Sequence, residues 1–268
     1  MSVLTLRLAG PLQSWGAAAR FVRRTTEAAP TKSGVIGMLA AAQGIARGDD
    51  DALARLAALR FGVRIDQPGT RVRDFQTAHH QVTGKSMPLS ERFYLADAVF
   101  VAALEGEHLL LAALREALYR PVYPPFLGRR SCPPTGQFVL GLHDDIRLDQ
   151  ALTHTPWQAS AWYRKHLRGP TVRLPLLLEA EPGDTTGDLL RDQPVSFDAA
   201  HRKHALRTVT STTVDIPSSP ATPKPPTPPI RSVPAHDPFA ALPDPTAGQS
   251  PVAPEPSHDP FTALEEST

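Results

Sequence analysis

The order in which two hydrophobic periodicities follow one another through the first 145 positions restricts the fold more than any other feature. Residues 3–9 alternate, with Leu4, Leu6 and Leu8 on one side and Val3, Thr5 and Arg7 on the other, the period-two signature of a half-buried strand. Gly10-Pro11 ends it. Val35, Met38, Leu39 and Ala42 then fall at i, i+3, i+4 and i+7, one apolar stripe on a helix reaching about residue 47. Pro30 precedes it, and Thr31 or Ser33 offers a capping hydroxyl. Phe61, Val63 and Ile65 mark a second strand, and residues 98–104, apolar on both sides, a third. Leu110, Ala113, Leu114, Ala117 and Leu118 form a second helical stripe, stopped by Pro121, and residues 137–142 are a fourth strand. Strand, helix, strand, strand, helix, strand is the split βαβ arrangement. The expectation is an α+β, ferredoxin-like domain over residues 1–145, with both helices on one sheet face and the other face free for a ligand.

Between the second and third strands lies a long connection, residues 67–97, carrying Arg71, Arg73, His79, His80, Lys85 and Arg92. Long insertions in compact domains tend to be functional, and this one reads as a basic β-hairpin projecting from the sheet. A solvated surface loop is the competing reading. Residues 146–216 are expected to be mostly β, forming a small second lobe. Val172, Leu174, Leu176 and Leu178 alternate there across Pro175, and 204–216 is rich in Thr and Val.

From Pro217 onward the composition changes. About half of the 29 prolines fall in the last fifth of the chain, so residues 217–268 are read as a disordered, proline-rich acidic tail. Two basic and six acidic residues in 218–268 leave 26 basic and 21 acidic residues ahead of them. The overall net charge of +1 therefore averages a basic fold and an acidic tail. A basic fold permits a polyanionic partner without demanding one. The single cysteine, Cys132, excludes an intramolecular disulfide and a cysteine zinc cage. With no stretch near the ~20 apolar residues of a membrane span and no signal-peptide layout at the start, a cytoplasmic protein is expected, with no membrane partner.

Four segments resemble one family. They are Leu6-Arg7-Leu8-Ala9-Gly10-Pro11-Leu12-Gln13-Ser14-Trp15-Gly16, Pro30-Thr31-Lys32-Ser33-Gly34-Val35-Ile36-Gly37, Arg73-Asp74-Phe75-Gln76-Thr77 and Tyr123-Pro124-Pro125-Phe126-Leu127-Gly128-Arg129-Arg130-Ser131-Cys132-Pro133. Together they resemble the CasD family, the subunit of type I-E Cascade that binds the 5′ handle of the CRISPR RNA. The likeness covers residues 2–145 well, 146–216 loosely and the tail not at all. It implies an RNA-recognition-like, RAMP-type fold whose 67–97 hairpin is a thumb that helps kink the guide. It also implies contact with the backbone and large subunits of Cascade, and with target DNA near the guide's 5′ end. The implied subunit binds RNA without cutting it and uses no cofactor.

The chemistry of the segments fits that implication. Thr31, Lys32, Ser33 and Gly34 open a helix, where unpaired backbone N–H groups and a lysine suit a phosphate; an ordinary cap with a solvated lysine is the alternative. Gly128 leaves room for a nucleic-acid backbone in a proline-stiffened loop, and Arg129 and Arg130 can grip phosphates in forked geometry. Tyr123 and Phe126 are read as core anchors rather than stacking platforms. Trp15 either stacks on a base or buries its ring. Arg20, Arg23 and Arg24 flank Phe21 as along a single-strand path. Arg71, Arg73, His79 and Lys85 complete the expected RNA contacts. The His79-His80 pair lacks nearby ligands for a metal. The second functional reading is a metal-independent endoribonuclease that processes CRISPR repeat RNA, with His201, Lys203 and His204, or His79, His80 and Tyr123, as acid and base. No spacing singles out a nucleophile–base pair. In the tail, His236-Asp237-Pro238-Phe239-Ala240-Ala241-Leu242 recurs as His258-Asp259-Pro260-Phe261-Thr262-Ala263-Leu264. That repeat is either a duplicated docking motif of unknown partner or chance duplication.

Overall fold

The computed structural model describes residues 1–16, 23–167, 169–181 and 183–218. The tail repeats and Arg20 lie outside the described residues. Among the described residues the strands form two sheets. The central strands β1 (Ser2–Ala9), β4 (Arg60–Gln67), β7 (Val99–Gly106) and β8 (Val139–Asp144) lie in the order β8–β1–β7–β4 with every neighbouring pair antiparallel. This is the ferredoxin-like order expected from the sequence. The intervening labels belong to two short strands, β2 (Leu12–Gln13) and β3 (Arg23–Arg24), and to the hairpin strands β5 (Thr70–Gln76) and β6 (Ser90–Ala96).

Helix α1 (Lys32–Gln43) starts at Thr31, whose hydroxyl accepts from the Gly34 N–H, and ends at Gly44 in the left-handed region, a common helix stop. Helix α2 (Asp50–Ala57) is an addition that Asp49 caps through the Ala52 N–H. Helix α3 (His108–Tyr119) matches the second predicted stripe. Leu4, Leu6 and Leu8 of β1 pack with Val35, Ile36 and Leu39 of α1 and Leu111, Leu114 and Leu118 of α3 into one buried cluster.

Two expectations are corrected. The opposite face of the central sheet is not free, because helix α4 (Leu148–His154) lies on it. Leu148, Ala151 and Leu152 bury Val3, Val101, Ala103 and Leu176. The physical reason is that Val3, Val101 and Ala103 would otherwise leave an apolar patch in water. Residues 146–216, expected as a small, mostly-β second lobe, instead add their strands to the central sheet. After the short helix α5 (Ala161–His166), β9 (Thr171–Glu179) pairs with β4, and β11 (Lys203–Pro217) and β10 (Asp188–Ser196) follow outward. The outer edge of β4 had open hydrogen-bonding groups, and β9 satisfies them.

Residues 67–97 do form an antiparallel hairpin, with Arg73 opposite Phe93 and Phe75 opposite Glu91. It is not an isolated projection. Its strand β6 carries β2 at one end and β3 at the other, making a second sheet tied to the segment that leaves β1.

Candidate nucleic-acid interface

Directly opposed residues on antiparallel strands share a face, so the hairpin register sorts its charges. Arg71, Arg73 and Phe75 share one face with Leu95, Phe93 and Glu91, and Arg23 joins them opposite Glu91. The Arg23 guanidinium sits 5.3 Å from the Phe93 ring centroid and 3.9 Å from Glu91. Arg73 sits 4.7 Å over Phe75, whose ring is 49% exposed. Arg71 donates to the Thr26 carbonyl at 3.0 Å.

The other face carries Arg24, Arg92 and Tyr94. From the loop after α3, Arg129 reaches onto that face, 4.6 Å over the Tyr94 ring, and donates to the Arg24 carbonyl at 3.0 Å. Arg92 Nε and Arg129 Nη1 are buried with no acceptor among the described residues. Leaving such donors unmade is costly, and an anionic oxygen is the partner that suits a guanidinium. Arg130 beside them is exposed. At the hairpin tip His79 and Lys85 are exposed. His79 Nδ1 lies 3.2 Å from the Gly84 carbonyl, and His80 Nδ1 accepts from the Val82 and Thr83 N–H groups. The tip histidines are thus engaged in shaping a turn.

The structure corrects the reading of the α1 start. Lys32 is 1% exposed, and its Nζ lies 2.9 Å from each carboxylate oxygen of Glu179. Its backbone N–H donates to Asp192 Oδ2 at 2.7 Å, and Asp192 in turn accepts from Arg207. The anion that a helix N-terminus attracts is supplied here by the protein itself. Burial pushes the Lys32 ammonium below its ordinary range, and Glu179 opposes that shift. Thr31 and Ser33 are buried with it. Gly34 is needed because a Cβ there would lie 2.9 Å from the Trp15 ring, so it makes room for a side chain and not for RNA.

Trp15 is fully buried and donates its indole N–H to Gln13 Oε1 at 3.1 Å, which removes it as a stacking platform. Gly128 has a φ of 82°, and a Cβ on it would stand 1.8 Å from the Ser14 carbonyl oxygen. That glycine lets the loop dock on the segment after β2. Of the fourteen expected contacts, Arg23, Arg24, Arg71, Arg73, Arg129 and Arg130 come together around the hairpin sheet, and His79 and Lys85 lie at its tip. Thr31, Lys32, Ser33 and Gly34 belong to the α1 start, and Trp15 and Gly128 are packing residues. Arg73 and Arg129 approach the hairpin from opposite faces. Arg92, named from the sequence only among the basic residues of the 67–97 connection, lies on the face shared with Arg24 and Tyr94. Its signal was its place one residue before Phe93 on a strand.

A family model described as CRISPR-associated protein (Cas_Cas5) matches residues 3–210. The chain belongs to the Cas5/CasD family. It is 39% identical over 158 residues to the CRISPR system Cascade subunit CasD of Escherichia coli (strain K12), an alignment covering 52% of this chain and 70% of that protein. It is similar to a chain in a solved CRISPR RNA-guided surveillance complex, with a TM-score of 0.65 and 33% identity over 80% of this chain and 91% of the other. A crystal structure of a Cas protein is similar at a TM-score of 0.60 and 38% identity, covering 81% and 95%. Among the described residues of this family member, no helix is long and apolar enough to cross a membrane.

Proposed function

We propose that this chain is a non-catalytic RNA-binding subunit of a type I-E CRISPR Cascade complex, gripping the 5′ handle of the guide RNA. The observation that carries the reading is a pair of half-buried arginines, Arg92 and Arg129, whose buried Nε and Nη1 lack acceptors among the described residues on an arginine-lined hairpin sheet. Phosphate oxygens are matched acceptors for such groups. A bent single strand straddling the hairpin meets Arg23 and Arg73 on one face and Arg24, Arg92 and Arg129 on the other. Phe75, exposed beneath Arg73, offers a surface for a base. The Cascade subunit of E. coli and the surveillance-complex chain to which this protein is similar support placing it in such an assembly. The partners are then the backbone and large subunits and the target DNA near the guide's 5′ end.

The test is binding of labelled repeat-derived RNA to the full chain across a salt titration in chelator. Each phosphate contact contributes about −0.7 to the slope of log K against log salt for a single strand. Arg92→Gln with Arg129→Gln should flatten the slope by about twice that, with the RNA uncut. An unchanged slope overturns the assignment of these two arginines. A cut product replaces the binding-only reading with the endoribonuclease.

A further inference from the structure

Where β1 runs out, two adjoining open recesses of about 220 and 420 Å³ share Arg7 in their walls. The first is bounded by Gly10, Pro11 and Asp97, the joints between the hairpin sheet and the central sheet, and by Trp162. The second is bounded by Trp157, Gln158, Ser160 and Arg164. None of these residues is used by the interface described above.

The charges here are unbalanced. The carboxylate acting on Arg7 is Asp66, while the Arg164 charge opposes it. Asp66 is already held by Arg64 at 2.7 and 2.9 Å and by the Gln158 N–H. Among the described residues the Arg7 side chain donates only to the Thr135 carbonyl, at 3.2 Å. Among the described residues neither Arg7 nor Arg164 forms an ion pair with a carboxylate. Two half-buried guanidiniums facing one recess leave room for an anion. Beside them Trp162 is 54% exposed, whereas Trp15 and Trp157 are 0% and 5% exposed. Its ring is set edge-on to Tyr163 at 5.7 Å and to His166 at 6.1 Å, which fixes its orientation.

We propose that this recess is a nucleotide subsite, in which Arg7 and Arg164 hold one phosphate of a single-stranded RNA and Trp162 stacks the adjoining base. It rests on the RNA-binding reading above and extends the bound strand beyond the hairpin. The recess begins at Gly10, Pro11 and Asp97, so a strand leaving the hairpin base enters it directly. Asp97, the carboxylate in the wall, suits a ribose 2′-hydroxyl as donor. An acidic peptide would satisfy the arginines but would leave the exposed indole unused.

The experiment uses the full chain and single-stranded repeat-derived RNA, read by intrinsic tryptophan emission and by the salt slope. Trp162→Ala should abolish the RNA-dependent emission change and weaken binding roughly 5- to 150-fold, the range for one lost stacked base. Arg7→Gln with Arg164→Gln should flatten the salt slope by about 0.7, one phosphate. Melting of each variant is followed alongside. Because the Trp162 ring is half exposed, its truncation should leave the fold intact, so it remains informative if the double variant does not fold. If both variants bind RNA as the parent does while the Arg92 and Arg129 variants weaken, the subsite is overturned and the hairpin reading stands. If the unaltered chain binds no RNA, both fall. Loss of a protein partner with unchanged RNA affinity also overturns the subsite.

Discussion

Replacing Lys32 by methionine distinguishes an internal tether from a phosphate contact. In the structure the ammonium is 1% exposed and bound to both oxygens of Glu179 at 2.9 Å. Removing one partner of a buried pair typically costs about 3–5 kcal/mol, because the survivor is left buried and uncompensated. Glu179 retains the Phe61 N–H at 3.1 Å and has Arg207 at 4.0 Å, so the cost should fall at the lower end, about 3 kcal/mol. For a folded region of this size each kcal/mol lowers Tm by roughly 2–4 °C. Lys32→Met should therefore melt about 6–12 °C below the parent by circular dichroism. RNA affinity, measured well below both transitions, should not change. Combining it with Glu179→Gln should cost less than the two single changes added, since the pair acts as a unit. An unshifted Tm with weakened RNA binding would refute the reasoning and return Lys32 to the RNA surface.

Gly128→Ala should lose more than about 2 kcal/mol in a denaturant titration, since the left-handed backbone costs roughly 1–2 kcal/mol and the loop must also retreat from the Ser14 carbonyl. A parent-like midpoint would mean that the loop is not seated there. His204 is held below its ordinary value of 6.5 by burial, with Arg202 adding to the shift. The unfolded chain then binds the proton more readily, so this contribution to stability is present above about 6.5 and is lost as pH falls through the depressed native value. His204→Gln should flatten that part of the Tm-against-pH curve, and identical curves would contradict it.

The charged loops were the least legible part of the sequence. Pro30-Thr31-Lys32-Ser33-Gly34 has the composition of an anion site, yet its partners Glu179 and Asp192 lie some 150 positions away. Short-range pattern cannot see a carboxylate delivered by a distant strand. Arg92 was legible as a basic residue of the hairpin, but not its place beside Arg129. A strand residue becomes a site only when the register and a second loop, here the one bearing Arg129, place donors beside it.

By itself the sequence determined the four central strands, the two helices that cover them and the hairpin at 67–97. Periodicity of two or 3.6 is a local property that burial on one face enforces. Only the tertiary structure decided that α4 closes the other sheet face, that residues 171–217 lengthen the same sheet, and which arginines remain unneutralised. Those outcomes depend on which distant apolar surface and which distant carboxylate pack at a shared position, and no local spacing encodes that.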